Sequence, residues 1–452
     1  MWSSEDSIFA LSSGTVPSGV AIIRLSGEQA FNAARSLISS DLPKAREAKL
    51  VKLRKPDDAT LLDEAIMICF PAPNSFTGEN VVELHTHGSR AVISALSSVL
   101  RRLGLRPAEA GEFTKRAFLN DRMDLVEADG LADLIHADTE MQRRQALGQM
   151  CGYLTEIYEG WRKRLVKCLA LIEAEIDFSD EELPENLFDQ VEPVLREVRA
   201  EIRTHLQDGH RGERIREGLQ IAVIGEPNVG KSSLINSLAK RDVAIVSEIA
   251  GTTRDILEVH LDLGGFPVTL ADTAGLRVAD DEVEKEGVRR AKERAKGADL
   301  KLLVVDTRAK NVFSPQEDMV DENTMVLWNK RDLVEANEET SLRDSCFEKV
   351  IGEWPISVKT GEGVSIWLSA LERWIIENYR TNTEAFITRE RYRVALEQAI
   401  ESLDRALQIK DTEHILAAED VRLSVRHLGT ITGRVDVEGL LDIVFSEFCI
   451  GK

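Results

Sequence analysis

The sequence predicts a multidomain α+β protein: an N-terminal α+β domain, then a helical domain interrupted by an inserted α/β domain with a mostly parallel sheet. Three observations predict it. The first stretch mixes short alternating runs with helical ones. The hydrophobic period then changes to steps of three and four. Between two such helical regions, short apolar runs alternate with polar or helical stretches, as in a parallel sheet with crossover helices. The boundaries read as 1–118 for the N-terminal domain, 119–216 for the first helical part, 217–380 for the insertion and 381–452 for the second helical part.

In chain order, Gly19–Gly27 (GVAIIRLSG) and Glu64–Pro73 (EAIMICFPAP) read as strands ended by Gly or Pro, and Glu79–Gly88 (ENVVELHTHG) alternates as a half-buried strand does. The next run, AVISALSSVLRRLG, reads as an amphipathic helix stopped by Gly104. Leu154, Ile157, Tyr158, Trp161, Leu165, Cys168, Leu169, Ile172 and Ile176 form one stripe of a long helix. Asp177, Phe178, Ser179, Asp180 and Pro184 break it. A second stripe runs from Val191 to Leu206, and helical pattern returns from Leu396 to Leu407 and from Ile415 to Val425. In the insertion, IAVIG, VTLADTAG, LKLLVVD and TMVLWNK are the strand candidates, and residues 308–324 read as a long surface loop.

Composition limits the function classes. Lys and Arg number 57 against 78 Asp and Glu, a net charge of −21. That disfavours indiscriminate binding to nucleic acid or anionic membranes, and still allows one basic surface to dock a structured RNA. Five scattered cysteines without a C-x-x-C argue against a disulfide framework or a zinc site. The N-terminus is acidic where a secretory leader is basic, and no apolar run approaches the ~20 residues of a membrane helix. The expectation is a cytoplasmic, soluble chain with no membrane anchor.

The chemistry concentrates in the insertion. Gly225-Glu226-Pro227-Asn228-Val229-Gly230-Lys231-Ser232 is G-x-x-x-x-G-K-S between a strand and a helix opening at Ser233. This is a phosphate-binding P-loop: backbone N–H groups curl toward one phosphate, and the helix N-terminus adds positive potential. Asn228, Val229, Gly230, Lys231, Ser232 and Ser233 are the candidate phosphate contacts. Lys231 brings a point charge to the outer phosphates, and the Ser232 hydroxyl suits magnesium. Asp272-Thr273-Ala274-Gly275 ends the strand VTLA. Asp272 can hold magnesium through water, and the Gly275 N–H can meet the third phosphate. Asn329-Lys330-Arg331-Asp332 ends the strand MVLW, and Asp332 can accept two N–H bonds from guanine. Adenine lacks that donor pair and would leave the carboxylate unpaired, at about 1–3 kcal/mol or more. Ser357, Val358 and Lys359 can present backbone N–H to the guanine oxygen. Ser247, Glu248, Ile249, Ala250, Gly251, Thr252 and Thr253 form the candidate switch segment, with the Thr253 hydroxyl toward magnesium. These elements, in this order, read as a P-loop guanine-nucleotide (G) domain.

Ras-like enzymes place a water-orienting glutamine where this chain has Leu276. An aliphatic side chain cannot polarise water, so hydrolysis is slow or draws help from elsewhere. An arginine finger supplies about 10³–10⁵ in rate, and Arg254 and Arg277 are candidates by position. A monovalent cation is the other source: Asn228 and carbonyls of the 247–252 loop could form an oxygen cage that performs the same neutralisation.

The segments GEPNVGKSS, IAGTTRD, DTAGLR, DEVEKEG and NKRD, with the terminal Phe448-Cys449-Ile450-Gly451-Lys452, resemble the MnmE (TrmE) family of tRNA-modification GTPases. The likeness continues through SGVAIIRLSG, PNSFTGENVVELHTHG and GEFTKRAFLNDRMDL and runs the whole length. The resemblance implies an N-terminal domain similar to folate-binding domains, which also dimerises. It implies a GTPase stimulated by potassium and dependent on magnesium, with Asn228, Ser247, Ile249 and Thr252 at the potassium site and Glu284 orienting water. It implies a tetrahydrofolate derivative (5-formyl or methylene form) near Arg24, Glu83, Arg122 and Lys452. It also implies a homodimer that works on tRNA with an FAD-containing MnmG (GidA) partner, adding an aminomethyl or carboxymethylaminomethyl group to the five-position carbon of the wobble uridine.

Cys449 is a candidate nucleophile by position, with Lys452 as its one nearby cation in sequence. His85 and His87 flank Thr86 without a third ligand, which favours packing over a metal site. Two other readings stay open at this level. One is a ribosome-assembly GTPase switch, though the chain has no G-x-x-G loop after Gly225 and only one P-loop. The other is a one-carbon folate enzyme with a regulatory G domain.

Overall fold

A computed structural model describes residues 6–177, 187–241, 243–245, 258–272, 293, 295–309, 320–334, 350–380, 386–409, 414–435, 441, 444–446, 448 and 451. The chain divides into two compact units. One comprises Met1–Ala132, Gln149–Ile202 and Ala395–Lys452; the other comprises Asp133–Gly148 and Arg203–Val394.

The first unit opens with β1 (Ile8–Leu11), β2 (Ser18–Ser26), α1 (Ala30–Ser36), β3 (Lys49–Arg54), β4 (Leu61–Phe70), β5 (Val81–Gly88), α2 (Arg90–Arg102) and β6 (Arg106–Pro107). The strands form one sheet in the order β3-β4-β5-β2-β1-β6. Every pairing is antiparallel except β1 with β6. Alternation sorts the side chains: Val51, Leu53, Ala65, Met67, Val82 and Leu84 face a core shared with Ala30, Ala34, Leu96 and Leu100 of the two helices. Ser89 caps α2, its Oγ accepting from Val92 N at 3.1 Å. Leu103 and Gly104 follow α2, as the sequence predicts.

The first helix after the sheet, α3, spans Glu112–Leu119. Next come α4 (Leu125–Ile135) and α6 (Tyr153–Asp177); between them, α5 (Glu140–Met150) lies mostly in the second unit. Asp124 and Glu127 form a reciprocal capping box at the start of α4, each side chain accepting the other's backbone N–H at 2.8 Å. The predicted stripe on α6 is buried at Leu154, Tyr158, Trp161, Leu165, Cys168 and Ile172. Each such large side chain contributes about 1.5–3 kcal/mol on burial. The helix His414–Thr432 packs along α6, and Thr432 Oγ1 donates to Glu159 Oε1 at 2.9 Å. α7 spans Leu187–Leu206, and a further helix spans Glu390–Ile409. Near the C-terminus, Ser12 Oγ donates to Gly451 O at 2.8 Å, which ties the terminal segment to the end of β1.

The second unit is built on α8 (Arg211–Glu217), β7 (Leu219–Ile224), α9 (Lys231–Leu238), β8 (Glu258–Leu263), β9 (Phe266–Asp272), β10 (Leu300–Asp306), β11 (Thr324–Asn329), β12 (Gly352–Pro355) and the helix Val364–Tyr379. The sheet order is β12-β11-β10-β7-β9-β8. All neighbours are parallel except the β8–β9 hairpin. Every residue of β9 and β11 is buried, as expected for strands covered on both faces. Because the central strands run parallel, the carboxyl ends of β7, β9, β10, β11 and β12 lie on one side of the sheet, where α/β proteins place ligands.

Candidate nucleotide-binding site

The P-loop follows β7 directly. Gly225 has φ +147°, and a Cβ there would lie 2.3 Å from Val304 O. Gly230 has φ +107°, and a Cβ there would lie 2.3 Å from Asn329 Nδ2. Both positions therefore exclude a side chain on conformation and on space. Asn228 is also left-handed, at φ +65°.

Lys231 starts α9 and is buried. Its ammonium donates to Gly225 O at 2.7 Å and Glu226 O at 2.8 Å, so the loop wraps it. Burial pushes its pKa down, against the opposing pull of Asp272 and Glu226. Ser232 Oγ donates to Asp272 Oδ2 at 2.8 Å. A hydroxyl and a carboxylate held together beside the phosphate loop are the hard oxygen donors that magnesium takes, so this pair fits the ion.

The base side is stitched to the same loop. The buried Asn329 uses both ends of its amide: Nδ2 donates to Val229 O at 2.7 Å, and Oδ1 accepts from Val358 N at 3.1 Å. Lys330 Nζ donates to Asn228 O and to Asp306 Oδ2, each at 2.8 Å. Ser357 Oγ donates to Asp332 Oδ1 at 2.6 Å and so orients that carboxylate. A cavity of about 700 Å³ opens between these groups, lined by Asn228, Gly230, Ser233, Asn329, Lys330, Asp332, Val358 and Lys359, among others. That volume suits a nucleoside.

The sequence-derived nucleotide residues that fall within the described part are Asn228, Val229, Gly230, Lys231, Ser232, Ser233, Asp272, Asn329, Lys330, Asp332, Ser357, Val358 and Lys359, and the structure gathers them around the loop and the turn after β11. Ser247, Glu248, Ile249, Ala250, Gly251, Thr252, Thr253, Arg254, Thr273, Ala274, Gly275, Leu276, Arg277, Glu284, Cys449 and Lys452 lie outside the described residues, as does 310–319 of the expected surface loop.

In the first unit, Arg24 and Glu83 are direct partners across β2 and β5. Arg24 donates to Glu83 Oε1 from Nε at 3.1 Å and from Nη2 at 2.9 Å. Its guanidinium lies 5.5 Å from the Phe76 ring centre and 5.7 Å from that of Phe113. A partly buried carboxylate and guanidinium beside the Phe76 ring have the chemistry to fit a pterin with its N–H edge, while Phe113 is wholly buried beneath Arg24's other face. Arg122 is exposed, and its stem passes Gly78 closely enough that a Cβ there would lie 3.2 Å from Arg122 Cγ. His85 Nε2 stands 3.4 Å from Glu83 Oε2, and His87 Nδ1 stands 2.7 Å from Asp63 Oδ1. No cluster of three or more metal-ligating side chains occurs among the described residues.

Sequence reasoning passed over Asp306, which closes β10 and holds Lys330. Its only signal was its place at a strand end on the ligand edge. It also passed over Glu112, whose partners Arg106 and Arg116 are local in sequence but whose network reaches Glu79.

A P-loop, a bonded Ser–Asp pair beside it and an Asn-Lys-x-Asp turn on the carboxyl edge of a parallel sheet define a P-loop GTPase. Family models place it further: residues 125–449 match the MnmE helical domain, and residues 7–122 match the GTP-binding protein TrmE N-terminus. The tRNA modification GTPase MnmE of Paramagnetospirillum magneticum is 49% identical over 450 residues, covering 99% of this chain and 100% of that protein. That of Parvibaculum lavamentivorans is 49% identical over 452 residues, covering 99% and 100%. Among solved structures, Era of Aquifex aeolicus matches 40% of this chain and 66% of its own, at 24% identity and a TM-score of 0.26. The chain belongs to the MnmE family of tRNA-modification GTPases. No described helix is long and apolar enough to cross a membrane.

Proposed function

We propose that the chain is a potassium-stimulated GTPase that acts as a cytoplasmic homodimer. With an FAD-containing MnmG (GidA) partner, it adds an aminomethyl or carboxymethylaminomethyl group to the five-position carbon of the wobble uridine in certain tRNAs. Family membership supports the tRNA chemistry. The observation that carries the GTP reading is the Asp332 carboxylate, oriented by Ser357 and lining one cavity with Asn228 and Gly230 of the P-loop.

In this reading Asp332 accepts the guanine N–H pair, and Val358 and Lys359 border the guanine oxygen. Lys231 moves its ammonium from the loop carbonyls to the outer phosphates. Ser232 and Thr253 would ligate magnesium, with Asp272 holding it through water. Asn228, with Ser247, Ile249 and Thr252, holds potassium. Bound there, the two cations neutralise charge on the phosphates during cleavage. Glu284 orients the attacking water, the task that Leu276 cannot perform.

Arg24, Glu83, Arg122 and Lys452 hold the folate derivative that supplies the carbon. The Gly451 tether to Ser12 brings the terminal segment to β1, the strand beside β2 and Arg24, which supports that grouping. Cys449 lies two residues before Gly451 and is the reserve candidate for a nucleophile. The domain limits 1–118, 119–216, 217–380 and 381–452 belong to the same reading.

The test is GTP turnover in potassium chloride and in sodium chloride at matched ionic strength. Strong potassium stimulation, lost in Asn228→Ala, is expected. Equal and slow turnover in both salts would sink the cation site and point to a switch that waits for a separate activator.

A further inference from the structure

Lys330 reaches the P-loop through a bridge that protein groups alone complete. Its ammonium touches Asn228 O on one side and Asp306 Oδ2 on the other, each at 2.8 Å. Asp306 is itself fixed: Arg308 donates from Nε at 3.1 Å, from Nη2 at 2.8 Å and from its backbone N at 3.0 Å. Arg308, then Lys330, hold the Asp306 carboxyl far below the usual carboxylate range despite partial burial. The next residue, Thr307, clamps Asn329 O from its N–H at 2.9 Å and its Oγ1 at 2.6 Å.

The backbone at both ends of the bridge is unusual. Asn228 has φ +65° and Lys330 has φ +69°. Asparagine visits that region fairly readily, whereas lysine does so rarely. Such conformations persist where the surroundings over-determine them, and they cluster at ligand clamps. Here the surroundings are Asp306 on the Lys330 side chain and Thr307 on the carbonyl before it.

We propose that Asp306 is a positioning residue for guanine-nucleotide binding. Its carboxylate pins the Lys330 ammonium against Asn228 O, so that the lysine stem lies along the cavity and the P-loop stays docked to the base-recognition turn. This deepens the GTP reading above and rests on it.

A half-exposed ion pair contributes little by itself. The role is therefore tested by coupling rather than by single loss. Asp306→Asn, Lys330→Met and the double variant are titrated with GDP, alongside Arg308→Ala. Asp306→Asn should weaken GDP about tenfold in the parent background. In the Lys330→Met background it should cost under about twofold, because the group it acts through is gone. Arg308→Ala should cost less than Asp306→Asn but in the same direction, since the Arg308 backbone N–H and Lys330 still hold Asp306. Equal losses in both backgrounds, or no loss in either, would overturn the proposal; the first pattern would mean that Asp306 acts on the fold. Asp332→Asn separates this from failure of the base assignment. That variant should exchange GDP for xanthosine diphosphate, because an acceptor becomes a donor. Unchanged GDP preference would remove the base assignment and the Asp306 role together. The expected exchange without Asp306–Lys330 coupling would remove the Asp306 role alone.

Discussion

Glu112 keeps its charge inside the protein because donors meet it from three directions. Its side chain is fully buried. Arg106 donates from Nη1 at 2.8 Å and from Nη2 at 2.7 Å, Arg116 Nη2 at 2.9 Å and Glu109 N at 2.9 Å. Burial pushes the carboxyl pKa up, but these bonds outweigh it and hold the pKa below the ordinary glutamate value of 4.5. The folded pKa is therefore depressed. Its stabilisation is complete above the unfolded value and is lost as pH falls through the folded one. Arg116 carries the network to Glu79 at 3.0 Å, and Ser26, two residues after Arg24, donates to Glu79 at 2.7 Å. The network thus stiffens the segment beneath the proposed folate contacts. Glu112→Gln should cost about 3 kcal/mol near pH 7 in urea unfolding, because it leaves two arginines short of a charge. The gap to the parent should narrow below about pH 4. A gap that stays constant across that range would show that packing, not charge, is lost. In the sequence, Glu112 looks like any acid in GEFTKR, because its importance comes from Glu79 and from burial, neither of which is local. Lys231 and Asp332 were legible for the opposite reason: each sits in a short motif, G-x-x-x-x-G-K-S or N-K-x-D, that marks it whatever its distant partners.

The P-loop gives the element-scale case. Gly230 ends the loop and begins α9 with φ +107°, and Asn329 Nδ2 fills the place a Cβ would need. Gly230→Ala should therefore strain the backbone and push Asn329 off Val229 O, which opens the cradle on its base side. Nucleotide affinity should fall about 100-fold, from lost hydrogen bonding plus strain. The check is a GDP titration beside a far-ultraviolet spectrum; parent-like affinity would mean the loop and the turn can separate freely. The same contrast explains which elements the sequence revealed. β7, β9, β10 and β11 are nearly continuous apolar runs bounded by motif residues, so they were plain. β1, β6 and β12 have four, two and four residues, too short for a period to register. β3 and β8 lie at sheet edges and mix polar with apolar positions. α3 escaped because its eight residues include buried Glu112, Thr114 and Arg116, which no apolar pattern marks.

At the scale of the whole molecule, the chain leaves one compact unit and returns to it. Arg203–Val394 and Asp133–Gly148 make up the other unit. Within that second unit the outgoing and returning segments are bonded together. Arg393 Nη2 donates to Asp208 Oδ1 at 2.9 Å, Arg393 Nε donates to Glu213 Oε1 at 3.0 Å, and Arg393 Nη1 donates to Leu206 O at 3.1 Å. Asp133 accepts from both Arg216 and Arg389. α8 then leads through Gly218 into β7 and the P-loop. The nucleotide site and this clasp therefore belong to one cooperative body, and ligand free energy should appear in that body's unfolding. In calorimetry, Mg·GDP at about 100 times its Kd adds about 2.7 kcal/mol to whatever unfolds with the site. For a body near 200 residues that is about 5–10 °C in one transition. Arg393→Met should lower the same transition with and without nucleotide, because it takes the guanidinium away from the buried acids Asp208 and Glu213 and leaves them only their bonds to His210. A second transition, carried by the N-terminal sheet and the α6 pair, should not move with GDP. If every transition moved by the same amount, the molecule would be one cooperative unit, and nucleotide energy would be spread through all of it instead of being held in the body that carries the site.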